Sequence, residues 1–144
     1  MKGRKRHLVV DTMGLVMAAL VTSAGVQDCA LEAVGQLFWR LCLKGWSLLK
    51  VIWADGMYEG SPAFWAQWIG GWMLRVVKRP DAGDAKAKAK GFVVLPKRWV
   101  VERTFAWLGR YRRMSKDYEF LTQSSETMIY LAMINLMLHR LAPE

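Results

Sequence analysis

Asp55 and Glu102 are the residues of this sequence whose type and setting could do chemistry. Asp55 follows the apolar run Leu48 to Trp53 and precedes Gly56. A strand over that run delivers the carboxylate to the carboxyl edge of a sheet, where α/β proteins bind ligands. Glu102 lies in Lys97 to Tyr118, among Arg98, Arg110, Arg112 and Arg113. A helix drawn from Lys97 places Arg98, Glu102, Ala106, Gly109 and Arg113 on one charged stripe, and turns Val101, Phe105 and Leu108 inward beside Val100, Thr104, Trp107 and Tyr111. Two carboxylates from separate elements beside a cationic surface are what a hard divalent cation and a phosphodiester require together. Each acid also has a plainer reading. Glu102 can sit on a solvated face paired with Arg98 and Arg103, and Asp55 can cap a turn or helix.

The elements that must position these acids fit one domain of 144 residues, 53% apolar and 23% charged. Twenty-one Lys and Arg against 12 Asp and Glu give a net charge of +9 and a pI near 9.9, which favours a polyanion, foremost nucleic acid. The basic arm Lys2, Arg4, Lys5, Arg6 adds to the candidate DNA contacts Arg98, Arg110, Arg112 and Arg113. No membrane partner is expected, because the cations do not line one face of a long amphipathic helix. The apolar stretches Leu8 to Val21 and Met128 to Leu138 also fall short of the roughly 20 residues of a membrane span. Asp11 inside the first stretch, with no small-residue cleavage pattern, argues against a secretory leader and for a cytoplasmic protein. Cys29 and Cys42 are too sparse for a disulfide framework or metal motif, and His7 and His139 have no ligand at metal spacing. Structural roles are expected for all of them.

Arg6 to Thr12 and Leu15 to Val21 read as a hairpin turning at Asp11-Thr12-Met13-Gly14. Val26 to Lys44 recurs with helical period and ends at Gly45. Leu48 to Trp53 is a strand, Pro62 to Trp68 a helix and Met73 to Lys78 a further strand. Residues 81–90, built of Asp, Gly, Ala and Lys, read as a flexible loop, and Phe92 to Leu95 as extended. Ser124 to Leu141, capped by Ser124 or Ser125, is apolar nearly all round and reads as a buried helix. This order of elements predicts an α/β domain with a mixed sheet.

Three blocks carry a resemblance. Lys2-Gly3-Arg4-Lys5-Arg6-His7-Leu8-Val9-Val10-Asp11-Thr12, Trp53-Ala54-Asp55-Gly56-Met57-Tyr58 and Trp99-Val100-Val101-Glu102-Arg103-Thr104-Phe105-Ala106-Trp107-Leu108-Gly109-Arg110-Tyr111-Arg112-Arg113, extended by Ser115-Lys116-Asp117-Tyr118-Glu119, resemble bacterial insertion-sequence transposases of the DDE type. The resemblance implies an RNase H-like catalytic core in which two aspartates and a glutamate hold Mg²⁺ (or Mn²⁺) for DNA cleavage and strand transfer. Asp55 then corresponds to the second acid and Glu102 to the third, both as catalytic and metal-binding residues. The implied partners are insertion-sequence ends and target DNA, and a homo-oligomer or an upstream transposase polypeptide.

The first acid belongs in that family to a strand upstream of the basic stretch in which this chain begins, so a catalytic domain lacking its first strand is expected. Asp11 completes a count of three, but its predicted place is the hairpin turn. Met57 stands where the family has glycine, and Gly109 where it has a basic residue, with Arg110 next; Arg98 matches the basic residue four positions before the acid. Three readings follow: a transposase catalytic segment, a catalytically inactive DNA-binding or regulatory remnant, and a non-functional fragment exposing apolar surface.

Overall fold

The computed structural model describes residues 3–27, 30–77 and 97–142. The expected flexible loop at 81–90 and the extended stretch Phe92 to Leu95 lie outside them, as do Lys2 and Cys29. Four strands and four longer helices occur in the order β1 (Arg4–Val10), β2 (Val16–Ser23), α1 (Leu31–Leu43), β3 (Val51–Asp55), α2 (Ser61–Gly70), β4 (Met73–Val77), α3 (Arg98–Gly109) and α4 (Thr122–Leu141) among the described residues. The chain is thus mixed α/β, as its element order predicts.

The sheet is split. β1 and β2 form an antiparallel pair, with Arg4 opposite Ser23 and His7 opposite Leu20, and β3 and β4 form a parallel pair with Val51 opposite Met73 and Asp55 opposite Val77. The period-two alternation of β2 builds two cores, because successive side chains leave opposite faces of a strand. Ala18 and Leu20 pack with Val34, Leu37, Phe38 and Leu41 of α1. Ala19 and Val21 pack on the other face with Leu108 of α3 and Ile129, Ala132 and Met133 of α4. Phe38 meets Trp72 edge to face, with ring centroids 6.1 Å apart, and so joins α1 to the start of β4.

Two expected helices differ in form. α3 stops at Gly109, and a separate short turn covers Arg112–Met114, so Arg110, Arg112 and Arg113 do not continue the stripe of Glu102. α4 is amphipathic rather than buried all round. Ile129, Ala132 and Met133 are buried, whereas Leu131, Ile134, Leu138 and Leu141 are exposed, and neither Ser124 nor Ser125 caps its start. Its packing against one sheet face leaves the opposite stripe to solvent. Phe120, Leu48 and Leu43 add to the exposed apolar surface.

Candidate functional site

β3 carries Asp55 at its last residue, half-buried, and the carboxylate caps the following turn: its Oδ1 accepts the Met57 N–H at 3.0 Å. The capping role and an outward role coexist, since a carboxylate has two oxygens and several lone pairs. Glu102 lies on the exposed side of α3, whose Val100, Thr104 and Leu108 are buried, one turn apart along the helix. The two acids line one cavity of about 330 Å³, together with Arg6, Tyr58, Lys97 and Phe105.

Asp11 does not join them. Its Oδ1 accepts the N–H groups of Met13 and Leu15, both at 2.8 Å, and it borders a different cavity beside Val51, at the start of β3 rather than its end. Hairpin geometry explains this placement, because an aspartate that binds the backbone two and four residues onward is committed to the turn. Among the described residues no group of three or more His, Cys, Asp or Glu could hold a metal ion. A pair of carboxylates still suits one hard ion such as Mg²⁺, which keeps water and phosphate as its other ligands.

The basic strand is tied to the protein. The Arg4 guanidinium donates to Ser125 Oγ at 3.1 Å and to the Phe120 carbonyl, and pairs with Asp117 at 3.4 Å. Arg6 donates to the Met114 carbonyl at 2.9 Å, and Lys5 to the Val26 carbonyl at 2.8 Å. Arg113 pairs with Glu119 at 2.7 Å. Arg110 and Arg112 are exposed just beyond α3, and the Arg98 side chain lies outside the described structure. Partial burial raises the Asp117 pKa, but the Ser125 hydroxyl, the Glu119 N–H and the Arg4 and Arg6 charges outweigh it and hold the carboxyl below its ordinary range.

Sequence reasoning missed two cations. Lys97 adopts a left-handed backbone, φ 66°, at the start of α3, borders both cavities, and brings its Nζ to 5.9 Å from the Trp53 ring. A non-glycine residue at positive φ is held there by its surroundings, which marks the position for attention. Arg103 stacks on Trp99 at 4.4 Å and Trp107 at 4.7 Å, and donates to the Met13 carbonyl at 3.0 Å. The tryptophans four residues to either side were the available signal for this ladder.

The sequence matches the family described as the transposase DDE domain over residues 1–137. A protein of Burkholderia cepacia named as a transposase for insertion sequence element IS402 is 32% identical over 122 residues. That alignment covers 81% of this chain and 54% of the relative, so the chain spans about half the length of the curated relative it matches. No solved structure matches it. With the family match running over nearly all of its length and the relative aligned over most of it, this chain belongs to the DDE-domain transposases of insertion-sequence elements.

Proposed function

We propose that the chain is a catalytic segment of a DNA transposase with an RNase H-like core, which binds DNA and contributes Asp55 and Glu102 to a divalent-metal site. The observation that carries this reading is the convergence of those two acids, from the end of β3 and from α3, on one cavity bordered by Arg6 and Lys97. Asp55 and Glu102 would hold Mg²⁺ or Mn²⁺ through their carboxylate oxygens, the hard donors such an ion takes. When bound, such an ion polarises the phosphoryl group and lowers the pKa of an attacking hydroxyl. Lys97 places a cation at the same cavity for the phosphate, while Arg110 and Arg112 engage the DNA backbone along the exposed surface. Arg4, Lys5, Arg6 and Arg113 add positive potential while their side chains hold protein partners.

A two-ion site needs a further carboxylate, and the described residues supply none in reach of this pair. The same observation favours, for the isolated chain, the DNA-binding or regulatory reading over complete strand transfer. Gel-shift titrations of duplex DNA at several salt concentrations, paired with a Mg²⁺-dependent strand-transfer assay, test both parts. Salt-sensitive binding with transfer at background is expected. Binding insensitive to salt overturns the DNA reading, and efficient transfer by the purified chain alone overturns the need for another acid.

A further inference from the structure

Four side chains alternate in one stack on the outer flank of α3. The Arg103 guanidinium lies 4.4 Å from the ring centre of Trp99 and 4.7 Å from that of Trp107, and the guanidinium of Arg140 on α4 lies 4.4 Å from Trp107. The order is therefore Trp99, Arg103, Trp107, Arg140. Positions four apart on a helix lie one turn above one another, which brings 99, 103 and 107 into line, and the packing of α4 beside α3 supplies the fourth member.

The stack is fixed from within. Arg103 donates to the Met13 carbonyl at 3.0 Å, while its Nε is buried with no hydrogen-bond partner among the described residues. Contact with two indoles, more than a full set of hydrogen bonds, thus sets the plane of this guanidinium. Among the described residues neither Arg103 nor Arg140 pairs with a carboxylate, so both charges stay uncompensated.

Its two ends differ. Arg140 closes one end, exposed. At the other end Trp99 is 50% exposed, and Arg103 is the one cation over its ring among the described residues. Within α3, Val101, Glu102 and Phe105 border the cavity of Asp55, whereas Trp99, Arg103 and Trp107 do not. Trp99 precedes Glu102 by three residues, a separation of roughly 5–6 Å between Cβ atoms on a helix. Glu102 therefore stands between the cavity and the open end of the stack.

We infer that the exposed face of Trp99 binds an unstacked nucleobase of DNA, with Arg103 behind the ring and the charges of Arg103 and Arg140 drawing in the adjoining phosphates. Stacking of a planar base on an aromatic face is strong and tolerant of sequence. The uncompensated guanidiniums favour an anionic strand and disfavour a second copy of this chain, whose net charge is +9. An apolar peptide would use the indole and leave both charges without a counterpart. A base inside a duplex has both faces covered by its neighbours, so the site takes a base that is unpaired or at a strand end. Because Arg103 is already fixed, less freedom is lost when the base arrives. Stacked beside Glu102, that base positions the strand whose phosphate reaches the cavity. The inference rests on the DNA-binding reading of the chain and not on the metal site.

Two DNAs, titrated without metal, test it: single-stranded oligothymidylate, and a relaxed closed-circular duplex that has no end to expose a base. Trp99→Ala is expected to weaken oligothymidylate binding about tenfold with an unchanged salt slope, because stacking releases no counterions, and to leave the closed circle bound as before. Trp99→Phe should recover most of the loss. Oligothymidylate carrying 5-iodouracil, irradiated with the unaltered chain, should crosslink to the peptide that contains Trp99, a readout that stands even where Trp99→Ala fails to fold. Full oligothymidylate affinity in Trp99→Ala, equal losses on both DNAs, or crosslinks confined to other residues overturn the inference and leave the DNA-binding reading standing. Failure of the unaltered chain to bind either DNA overturns both.

Discussion

Thr104 donates its hydroxyl to the Gly14 carbonyl at 2.7 Å, fastening the turn of the β1–β2 hairpin to the helix that carries Glu102. Gly14 has a φ of +83°, and a Cβ there would lie 2.9 Å from Trp107 and 3.0 Å from the Thr104 hydroxyl oxygen. Backbone conformation and contact both demand glycine. Replacing Gly14 with alanine is expected to lower stability by about 2–3 kcal/mol, read as a shift in the urea midpoint. An unchanged midpoint would show that α3 does not rest on this turn.

A second tether crosses the core. Glu126 is buried on α4, accepts the Val21 N–H at 2.9 Å and pairs with Arg40 of α1, which also donates to the Ala19 carbonyl at 2.9 Å. Glu126→Ala leaves the Val21 N–H without its acceptor and the Arg40 guanidinium without its counter-charge, for an expected loss of about 3 kcal/mol. In a cycle with Arg40→Ala, the double variant should be less destabilised than the sum of the singles. Additive losses would mean that the two side chains act independently.

Much of this architecture was legible because local pattern and tertiary packing agree. The hairpin, α1, a strand leading to Asp55 and the helix of Glu102 follow from apolar runs, period-3.6 runs and Gly or Asp turn signals, although that strand runs Val51–Asp55 rather than Leu48 to Trp53. The split sheet was not legible, because strand composition does not say which edges pair. Nor were the roles of Arg4 and Arg6, since an arginine in a basic run reads as a solvent cation until distant carbonyls such as those of Phe120 and Met114 are brought to it. The outer stripe of α4 is hidden in the sequence for a related reason: uniform apolar content does not show which face the sheet covers.

Asp117 couples the basic strand to pH. Its native pKa lies below the ordinary carboxylate value because the stabilising hydrogen bonds and arginine charges outweigh burial. A depressed native pKa gives stability that is fully present above the unfolded-state pKa of about 4 and is lost as pH falls through the native value. Asp117→Asn should therefore lower the melting temperature at pH 7, and the gap from the unaltered protein should close as acid protonates the carboxylate. A gap that widens with acid would reverse the assignment.

Asp55→Asn and Glu102→Gln separate metal binding from folding. Asparagine retains the oxygen that caps Met57, and Glu102 lies on an exposed helix face, so both variants should melt close to the unaltered protein. Loss of an anionic ligand is expected to weaken Mn²⁺ binding by at least about tenfold. DNA affinity without metal should hold or rise, because each change removes negative charge from a basic surface. Undiminished Mn²⁺ binding by both variants would place the ion elsewhere.

Arg110 and Arg112 carry the clearest test of the DNA surface, because they are exposed while Arg4, Arg6 and Arg113 hold protein partners. Each phosphate contact releases condensed counterions, so removing a contact reduces the dependence of log K on log salt by about 0.9 for duplex DNA. Arg110→Ala with Arg112→Ala should flatten that slope by about 2 and weaken binding uniformly across sequences. Arg113→Ala, which breaks the pair with Glu119, serves as the comparison. A slope that drops for Arg113→Ala and not for the double variant would move the DNA path to the segment around Glu119.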